Sequence, residues 1–545
     1  MRKHVVLLVA LVTLVSLLAG CGPTPTPETI TKVETKIVKE VETKIVKEVE
    51  TKVVEKVVTA TPEPTPAPER GGTLIWAMVD EVLGLDPHTN PLHRSLRLYE
   101  LVYSTMTRLG TDLSVQPELC ESWEIENDTV YTFHLRQGVK FHNGDELTSE
   151  DVKFSYDRVL DPETGSPAKS FLDVIDKIET PDEYTVVITL TGPNPAFLIN
   201  IAHPNASIVS KRVATEGDLA RDVVGTGAFK LGEWVPDSYM RLERNPDFYL
   251  EGLPYLDAIE WRVIPDQATI LAGLRTGEID VADLDAKNAQ LARASKTLAV
   301  TTAPRLTYTF LAFNCEREPF TDPRVRLALS YAVDRQATID AILLGEGEIT
   351  GPLPPSLEQW ALPLSEYPNY TRDLDQAKAL LAEAGYADGF GFSVMVLGDE
   401  ARARAQVLQD QLKDIGVEVE IEQVERGLYI DNWKNSNFDS FCGGNSGSPS
   451  PDYMLYRTFH SEGGTNVFKF KNDKVDDLLE KGRTTVDYAT RKTYYDELQR
   501  ELVQDAPMVW LSVANQFRVH QASVKGVTVM SDTSIVYARE MWLDK

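Results

Sequence analysis

Residues 131–155 read YTFHLRQGVKFHNGDELTSEDVKFS, and this stretch joins a strand pattern to a helix pattern. Apolar and polar side chains alternate over residues 129–135, which is the two-residue period of a half-buried strand. Residues 150–158 are predicted to form a helix, with Ser149 as its N-cap. The stretch therefore predicts a strand followed by a helix, as in a chain of mixed α/β structure.

Similar patterns continue on both sides of this stretch. β-Branched and apolar residues predict strands in the first half over residues 73–78, 184–190, 259–264 and 307–313. Helices and strands alternate in the second half, over residues 377–384, 392–397, 408–415 and 417–424.

The helices of the second half have recognisable ends. Asp373 or Asp375 is expected to cap the first of them, because Asp accepts hydrogen bonds from free amides at a helix start. Gly385 and Gly416 are expected to end the two helices. The alternation predicts an α/β layer with a partly parallel sheet, after a strand-rich first half.

Composition limits the class of protein. The chain has 545 residues with 55 Lys+Arg and 83 Asp+Glu, so its formal net charge is −28. At 42% hydrophobic and 25% charged residues, it is typical of a soluble globular protein with about two to four domains. Phosphate contacts and anionic membrane surfaces need clustered Lys and Arg, so the composition argues against a nucleic-acid binder or a polybasic membrane patch.

The first 21 residues carry a targeting signal. Arg2 and Lys3 precede an apolar run over residues 5–18, which predicts a signal peptide over 1–21; a plain anchor helix is the alternative. The sequence Leu-Ala-Gly-Cys21 resembles the bacterial lipobox, which implies that lipid on Cys21 anchors the mature chain to the cell membrane. No later stretch reaches about 18 consecutive apolar residues, so no second span is expected.

Residues 22–70 differ in composition from everything after them. The octad ETKIVKEV occurs at 34–41 and again at 42–49, between proline-rich ends. Its alternation favours an extended strand, because an octad turns the apolar stripe of a helix by about 80° per repeat. We expect a stalk or linker, either a solvated tether or a self-associating spacer.

Enzyme signatures are absent from the sequence. It has no H-E-x-x-H, no G-x-x-x-x-G-K-[ST] and no G-x-S-x-G motif. Its eight His include no pair at i, i+4, so neither a metal nor a cofactor is predicted. The remaining cysteines, Cys120, Cys315 and Cys442, include no C-x-x-C pair and favour free thiols, with one long-range disulfide as the alternative.

Many short segments occur in the order that one family shows. They are Gly71–Leu74, Leu85–Pro87, the stretch 131–155, Gly225–Lys230, Glu243–Pro246, Gly277–Asp280, Pro319–Ala328 and Leu380–Tyr386. Over nearly all of 71–545 the chain resembles the family 5 extracellular solute-binding proteins, the oligopeptide- and dipeptide-binding components of bacterial ABC transporters. The resemblance implies a monomeric, extracytoplasmic binding protein, not an enzyme, that delivers a small solute to ABC permease subunits.

The family fold is a two-lobe, periplasmic-binding-protein-like α/β structure of class C (type II), with the ligand cleft between the lobes. The resemblance assigns lobe I to 71–98, 216–318 and 505–545, an inserted subdomain to 99–215, and lobe II to 319–504. Phe313, Asn314 and Phe320 would belong to the crossovers about which the lobes close around the ligand.

In peptide-binding members, the extended ligand pairs with backbone from both lobes. The matching segments here are Thr89-Asn90-Pro91 and Gly443-Gly444-Asn445-Ser446. Members of this kind usually place an Asp after the second segment to pair with the peptide ammonium. Gly447 or Ser448 stands at that position here, although Asp452 lies close in sequence.

This departure leaves the ligand class open. A peptide-like solute is the family's usual ligand, whereas Trp433 and Asn445 fit an oligosaccharide or another neutral solute, because aromatic rings stack on sugars and amides bind hydroxyls. Plain core packing of Trp433 is the alternative. The family's metal-chelate branch ranks third because His are few. A stalked surface interaction protein and a secreted hydrolase are the alternatives from other classes.

Overall fold

A computed structural model describes residues 68–544, so the predicted signal peptide, Cys21 and nearly all of the stalk lie outside the described residues. The strands are β1 Thr73–Met78, β2 Thr107–Leu109, β3 Val115–Pro117, β4 Cys120–Glu126, β5 Val130–Leu135, β6 Ile175–Asp182, β7 Thr185–Leu190, β8 Phe229–Val235, β9 Tyr239–Arg244, β10 Ala258–Val263, β11 Val281–Leu284, β12 Leu298–Phe313, β13 Gly347–Ile349, β14 Phe390–Val396, β15 Val417–Gln423, β16 Ser440–Asn445, β17 Met508–Gln521, β18 Val524–Lys525 and β19 Trp542–Leu543.

The helices alternate with these strands most regularly in the second half. They are α1 His93–Val102, α2 Ser149–Leu160, α3 Lys169–Leu172, α4 Phe197–Asn200, α5 Lys211–Glu216, α6 Gln267–Thr276, α7 Ala286–Arg293, α8 Pro323–Ala332, α9 Arg335–Leu343, α10 Leu374–Glu383, α11 Gly398–Leu412, α12 Arg426–Lys434, α13 Pro451–Phe459, α14 Asp473–Thr484 and α15 Tyr488–Asp505. All the strands and helices predicted from sequence are present, most with ends within two residues of the prediction.

One mixed sheet of eleven strands organises the molecule. Its order is β15-β14-β16-β12-β17-β11-β1-β10-β9-β8, and β13 also pairs with β17. The long strands β12 and β17 pair antiparallel at its centre. β11 adds to the end of β17 at residues 517–520, whereas β16 adds to the end of β12 at residues 308–313. The long pair therefore joins two sub-sheets, one in each lobe.

The pairing of β12 with β17 is irregular near its middle. The register shifts between Pro304 and Tyr308, and residues 305–307 have no register partner on β17. Within that gap, the Leu306 amide donates to the carbonyl of Ser531 at 3.2 Å. An interruption of this kind bends a strand, so the two sub-sheets meet at a bend formed by residues 305–307.

The parallel part of the sheet confirms the predicted α/β layer, since β14 pairs parallel with both β15 and β16. Asp373, rather than Asp375, caps α10 by accepting from the Gln376 amide. Gly416 has a φ of 78°, the left-handed conformation expected of a residue that ends a helix.

The start of α2 differs from the prediction by one residue. Ser149 is the first helical residue, and Thr148 is the N-cap. Asp151 completes a capping box, because its carboxylate accepts from the Thr148 amide at 3.0 Å. The reciprocal pair of Thr148 and Asp151 decides where the helix begins, and one residue type at one position could not reveal it.

A smaller antiparallel sheet, β4-β5-β7-β6, lies apart from the central one. It covers a hydrophobic core of buried residues between 106 and 208, in which the Tyr131 and Phe197 rings are 5.0 Å apart. This range falls within the 99–215 that the resemblance assigns to the inserted subdomain.

The residues expected to form the hinge lie at the end of β12 and just after it. Phe313 and Phe320 are fully buried and stack at 4.8 Å in a core beside β14 and β15. Asn314 donates its amide to two backbone carbonyls. Phe313 is the last residue of β12, whereas the irregular pairing between the sub-sheets lies earlier in the same strand, at 305–307.

Two sequence predictions concern the state of the cysteines and the absence of a second membrane span. Cys120, Cys315 and Cys442 are free, which confirms the prediction of free thiols. Burial raises the pKa of Cys120 to about 11 and that of Cys442 to about 12. Within residues 68–544, we find no helix with the length and apolar character that a membrane crossing needs.

Candidate ligand-binding site

A cavity of about 980 Å³ opens between the two lobes. Its walls come from the ends of β1 and β11, from α1, from residues near the end of α4, from the bend, from the loop 446–449 and from the segment 531–534. Ligands of open α/β sheets bind outside the carboxyl ends of the strands. The volume is in the range of small-molecule sites, so this cavity is the candidate binding site.

Three of the predicted site residues line this cavity, namely Ser446, Gly447 and Ser448. The loop lies directly against the bend, because a Cβ on Gly447 would be 2.1 Å from the Cβ of Leu306 and 2.5 Å from its carbonyl oxygen. No side chain fits at position 447 with the backbone in this position. The close contact leaves no room for an Asp at 447, which is one of the two positions, with 448, where the family pattern expects it.

The strand residues before that loop make their hydrogen bonds to neighbouring protein groups. Gly443 and Gly444 belong to β16 and pair with β12. The Asn445 amide donates to Tyr308 Oη at 2.8 Å, and its oxygen accepts from Arg457 at 2.6 Å. None of the three lines the cavity, because the pairing and these hydrogen bonds hold them inside the lobe.

Trp433 and Asp452 also lie outside the cavity walls. Trp433 is half-buried and packs against the hydrophobic core of lobe II, which is the alternative that the sequence left open. Asp452 lies in the first turn of α13, 3.8 Å from Arg483, and burial raises the pKa of its carboxyl. Asp452 therefore does not replace the missing ammonium partner in this arrangement.

The other predicted segment, Thr89-Asn90-Pro91, precedes α1 and is not part of the walls. Asn205 donates to the carbonyl of Asn90 at 3.0 Å, which ties the segment to the part of the chain that carries the smaller sheet. The cavity wall begins with the next residue, at the start of α1.

Two arginines, Arg97 and Arg305, line one wall with His93 beside them, and sequence reasoning missed this cluster. Asp283, at the end of β11, is 2.8 Å from Arg97 and 2.8 Å from the fully buried Arg518. Burial alone would favour the neutral acid, but Arg518 and Arg97 hold the pKa of the Asp283 carboxyl well below its usual range. The Asp283 carboxylate is therefore already paired twice.

An acidic pair, Glu100 and Asp532, lines another part of the cavity. Glu100 accepts from the Ile535 amide at 2.7 Å, and burial raises its pKa to about 8. Burial also raises the pKa of Asp532. Neither carboxyl has an ion-pair partner within residues 68–544.

A second buried acid, Glu118, is fully compensated. Arg539 approaches it at 2.6 Å and Arg108 at 3.0 Å, and Glu118 and Arg539 have only 4% of their side chains exposed. Despite burial, these arginines lower the pKa of Glu118. The ion pair of Glu118 and Arg539 fixes the C-terminal segment, beside the cavity, to the part of the chain that carries the smaller sheet.

Local sequence carried little information about these charged groups. Arg97 and Glu100 are three residues apart on α1, opposite its buried face of Leu98, Leu101 and Val102. That pattern marks a polar helix face but not what the face lines. Arg305 and Asp532 come from distant parts of the chain and have no local signal.

No metal-binding group is apparent in residues 68–544, where no three His, Cys, Asp or Glu side chains are clustered to hold an ion. His88 is fully buried, with its Nε2 at 2.8 Å from the Ser207 carbonyl. Burial lowers its pKa to about 4, which fits a structural role.

Known proteins resemble this chain over most of its length. The family model for bacterial extracellular solute-binding proteins, family 5 (middle), matches residues 114–466. The oligopeptide-binding protein AppA of Bacillus subtilis is 28% identical over 506 residues, covering 88% of this chain and 93% of AppA.

Two solved structures match with similar coverage. HbpA2 from Haemophilus parasuis has a TM-score of 0.80 at 25% identity, covering 87% of this chain and 100% of HbpA2. The ABC transporter-associated periplasmic binding protein DppA from Helicobacter pylori, in complex with the peptide STSA, has a TM-score of 0.69 at 29% identity, covering 88% and 99%. These matches confirm the predicted two-lobe α/β fold.

Proposed function

This chain belongs to the bacterial extracellular solute-binding proteins of family 5, and from that membership we propose that it binds a peptide-like solute for uptake by an ABC importer. Proteins of this family bind solutes and are not enzymes, in agreement with the missing catalytic motifs. Among its relatives, AppA is named for oligopeptides and DppA is solved with a peptide.

The observation that carries the proposal is the charge of the cavity walls. Arg305 on one side, and Glu100 with Asp532 on another, have no ion-pair partner within residues 68–544. A peptide with free ends brings a carboxylate that would pair with Arg305 and an ammonium that would stabilise the ionised form of Glu100 and Asp532, whose pKa values burial raises. A neutral sugar compensates neither, and the aromatic side chain that favoured sugars, Trp433, lies outside these walls.

We propose closure of the lobes about the bend at 305–307. A strand without ladder partners at that point resists bending less than a paired one. A solute that touches the 446–449 loop of lobe II and the α1 wall of lobe I favours the closed state, because it gains contacts to both lobes only there.

The lobe boundaries follow the family arrangement, with this bend in place of Phe313 as the first crossover. Lobe I comprises 71–98, 216–318 and 505–545, the inserted subdomain 99–215, and lobe II 319–504, apart from that shift. The separate core between 106 and 208 supports the subdomain.

The N-terminal part of the proposal concerns anchoring. Lipid on Cys21 would hold a monomeric receptor at the outer face of the cell membrane, with residues 22–70 as its tether. Cys21→Ala should move the protein from the membrane fraction to the soluble fraction. Retention of the variant in the membrane would contradict a lipid anchor.

Ligand binding is best tested by thermal unfolding of the Cys21→Ala chain after removal of co-purified solute. The panel contains di- to decapeptides and, for comparison, malto- and cello-oligosaccharides. A solute at about 100 times its Kd adds about 2.7 kcal/mol to the free energy of unfolding, so a clear rise in Tm is expected with peptides. A rise with sugars alone would overturn the peptide proposal.

Closure has an independent readout. Small-angle scattering should give a smaller radius of gyration with the bound peptide than without it. An unchanged radius would contradict closure while leaving binding itself intact.

A further inference from the structure

We propose that the free carboxylate of the solute binds Arg305, at the bend between the lobes, with Arg97 beside it. The inference rests on the proposed function and specifies which wall holds which end of the ligand. It concerns an arginine on the long strand β12, next to Leu306, against which Gly447 of the 446–449 loop packs.

The backbone at the bend directs Arg305 into the cavity. Side chains alternate along an extended chain. Leu306 is 4% exposed and packs under Gly447, whereas Arg305 and Thr307 on either side of it are exposed and line the cavity. Within residues 68–544, Arg305 makes neither a hydrogen bond nor an ion pair.

The groups around Arg305 leave positive charge uncompensated. Asp283 lies near it, but that carboxylate is already paired with Arg97 and Arg518. Glu400 of α11 also faces it and accepts from Arg404 at 2.6 Å. Both nearby acids therefore have other partners.

Two further groups of this wall lie on α1. The Nε of Arg97 is buried without a hydrogen-bond acceptor. His93 is close to both arginines: burial, followed by Arg97, lowers its pKa to about 4, so it stays neutral near pH 7. The Arg305 guanidinium remains charged, because an arginine keeps its proton at any pH near neutrality.

A carboxylate fits this wall better than other groups do. The guanidinium presents two parallel N–H donors that match the two oxygens of a carboxylate, and such charge-assisted pairs are among the stronger hydrogen bonds. An amide or a hydroxyl offers one neutral acceptor. The wall should therefore select solutes with a free carboxyl end over the same solutes with that end amidated.

The test compares trialanine with trialanine amide by isothermal titration on the Cys21→Ala chain. We expect the free acid to bind about 10- to 100-fold more tightly than the amide. Arg305→Met should abolish that ratio, and Arg305→Lys should restore part of it, because the charge returns without the two-pronged geometry. Arg402→Met is the matched control, since Arg402 is an exposed arginine of α11 outside the cavity.

An acid-to-amide ratio that is the same in Arg305→Met as in Arg402→Met would overturn the proposal, even if both peptides bind. If neither peptide binds, the peptide function itself fails, and N-acetylalanine then tests the carboxylate site alone. A rise in Tm with N-acetylalanine that is lost only in Arg305→Met supports the site. The absence of any rise in the unsubstituted cavity overturns it.

Discussion

The contact between Gly447 and Leu306 makes a specific prediction about the loop that lines the cavity. In Gly447→Ala, the new Cβ would be 2.1 Å from the Cβ of Leu306, whereas ordinary contact begins near 3.4 Å. The loop or the bend must therefore move by about 1.3 Å. Part of the obstacle is the Leu306 backbone, so rotation of a side chain cannot relieve the clash.

Overpacking of this kind costs about 1–3 kcal/mol. We expect Gly447→Ala to lower the free energy of unfolding by that amount in urea denaturation, and to weaken solute binding because the same loop is lobe II's wall. Gly464→Ala is the control, because a Cβ on this nearby glycine meets no atom within 4 Å. Equal unfolding free energies for the two variants would refute the close contact and the lack of room for an Asp at 447.

Three further predictions follow from buried groups. Arg539→Met should lower the free energy of unfolding by about 3–5 kcal/mol, because Glu118 keeps a buried charge without its main partner; adding Glu118→Gln should restore part of the loss, and no restoration would contradict the pairing. Glu100, with its pKa raised to about 8, contributes stability below about pH 4.5 that is lost as pH rises through 8. Between pH 5 and pH 8, the free energy of unfolding of Glu100→Gln should therefore rise by at least about 1 kcal/mol relative to that of the unsubstituted protein in denaturation curves. A pH-independent difference between the two proteins would contradict the raised pKa. A thiol reagent should react slowly with the folded Cys21→Ala chain and count three thiols after unfolding, and rapid labelling of the native protein would contradict their burial. These thiols are Cys120, Cys315 and Cys442.

The elements of the fold were predictable because their signals are local. Alternation over 129–135 and the β-branched residues of 184–190 each describe one strand, and the pattern of a strand does not depend on its partners. The start of α10 and the end of the 3-10 turn that follows α11 were also predictable, because Asp373 and Gly416 act on backbone groups within a few residues of themselves. The sheet order, in contrast, was not predicted, because it depends on pairing between strands that are distant in the sequence.

The site was predictable only where the family pattern marks it. Ser446 to Ser448 line the cavity as expected, whereas Trp433 turns toward the lobe's own core. Which face of α12 meets the core depends on packing against distant segments, and a nine-residue helix without buried residues carries a weak pattern. The charged walls were missed because Arg305 and Asp532 become neighbours of one cavity only through the pairing of β12 with β17.

The bend links these separate observations. Strand β12 has no ladder partner on β17 at residues 305–307 and therefore lacks backbone hydrogen bonds there. The Leu306 amide replaces one of them by donating to the carbonyl of Ser531. The same three residues carry Leu306 against Gly447 and Arg305 toward the cavity. If both proposals hold, the solute's carboxylate binds at the pivot and compensates a charge there while its other end reaches the acidic pair beside α1. Ligand binding would then act directly on the segment whose bending closes the lobes, so substitutions at Arg305 should reduce closure as well as affinity.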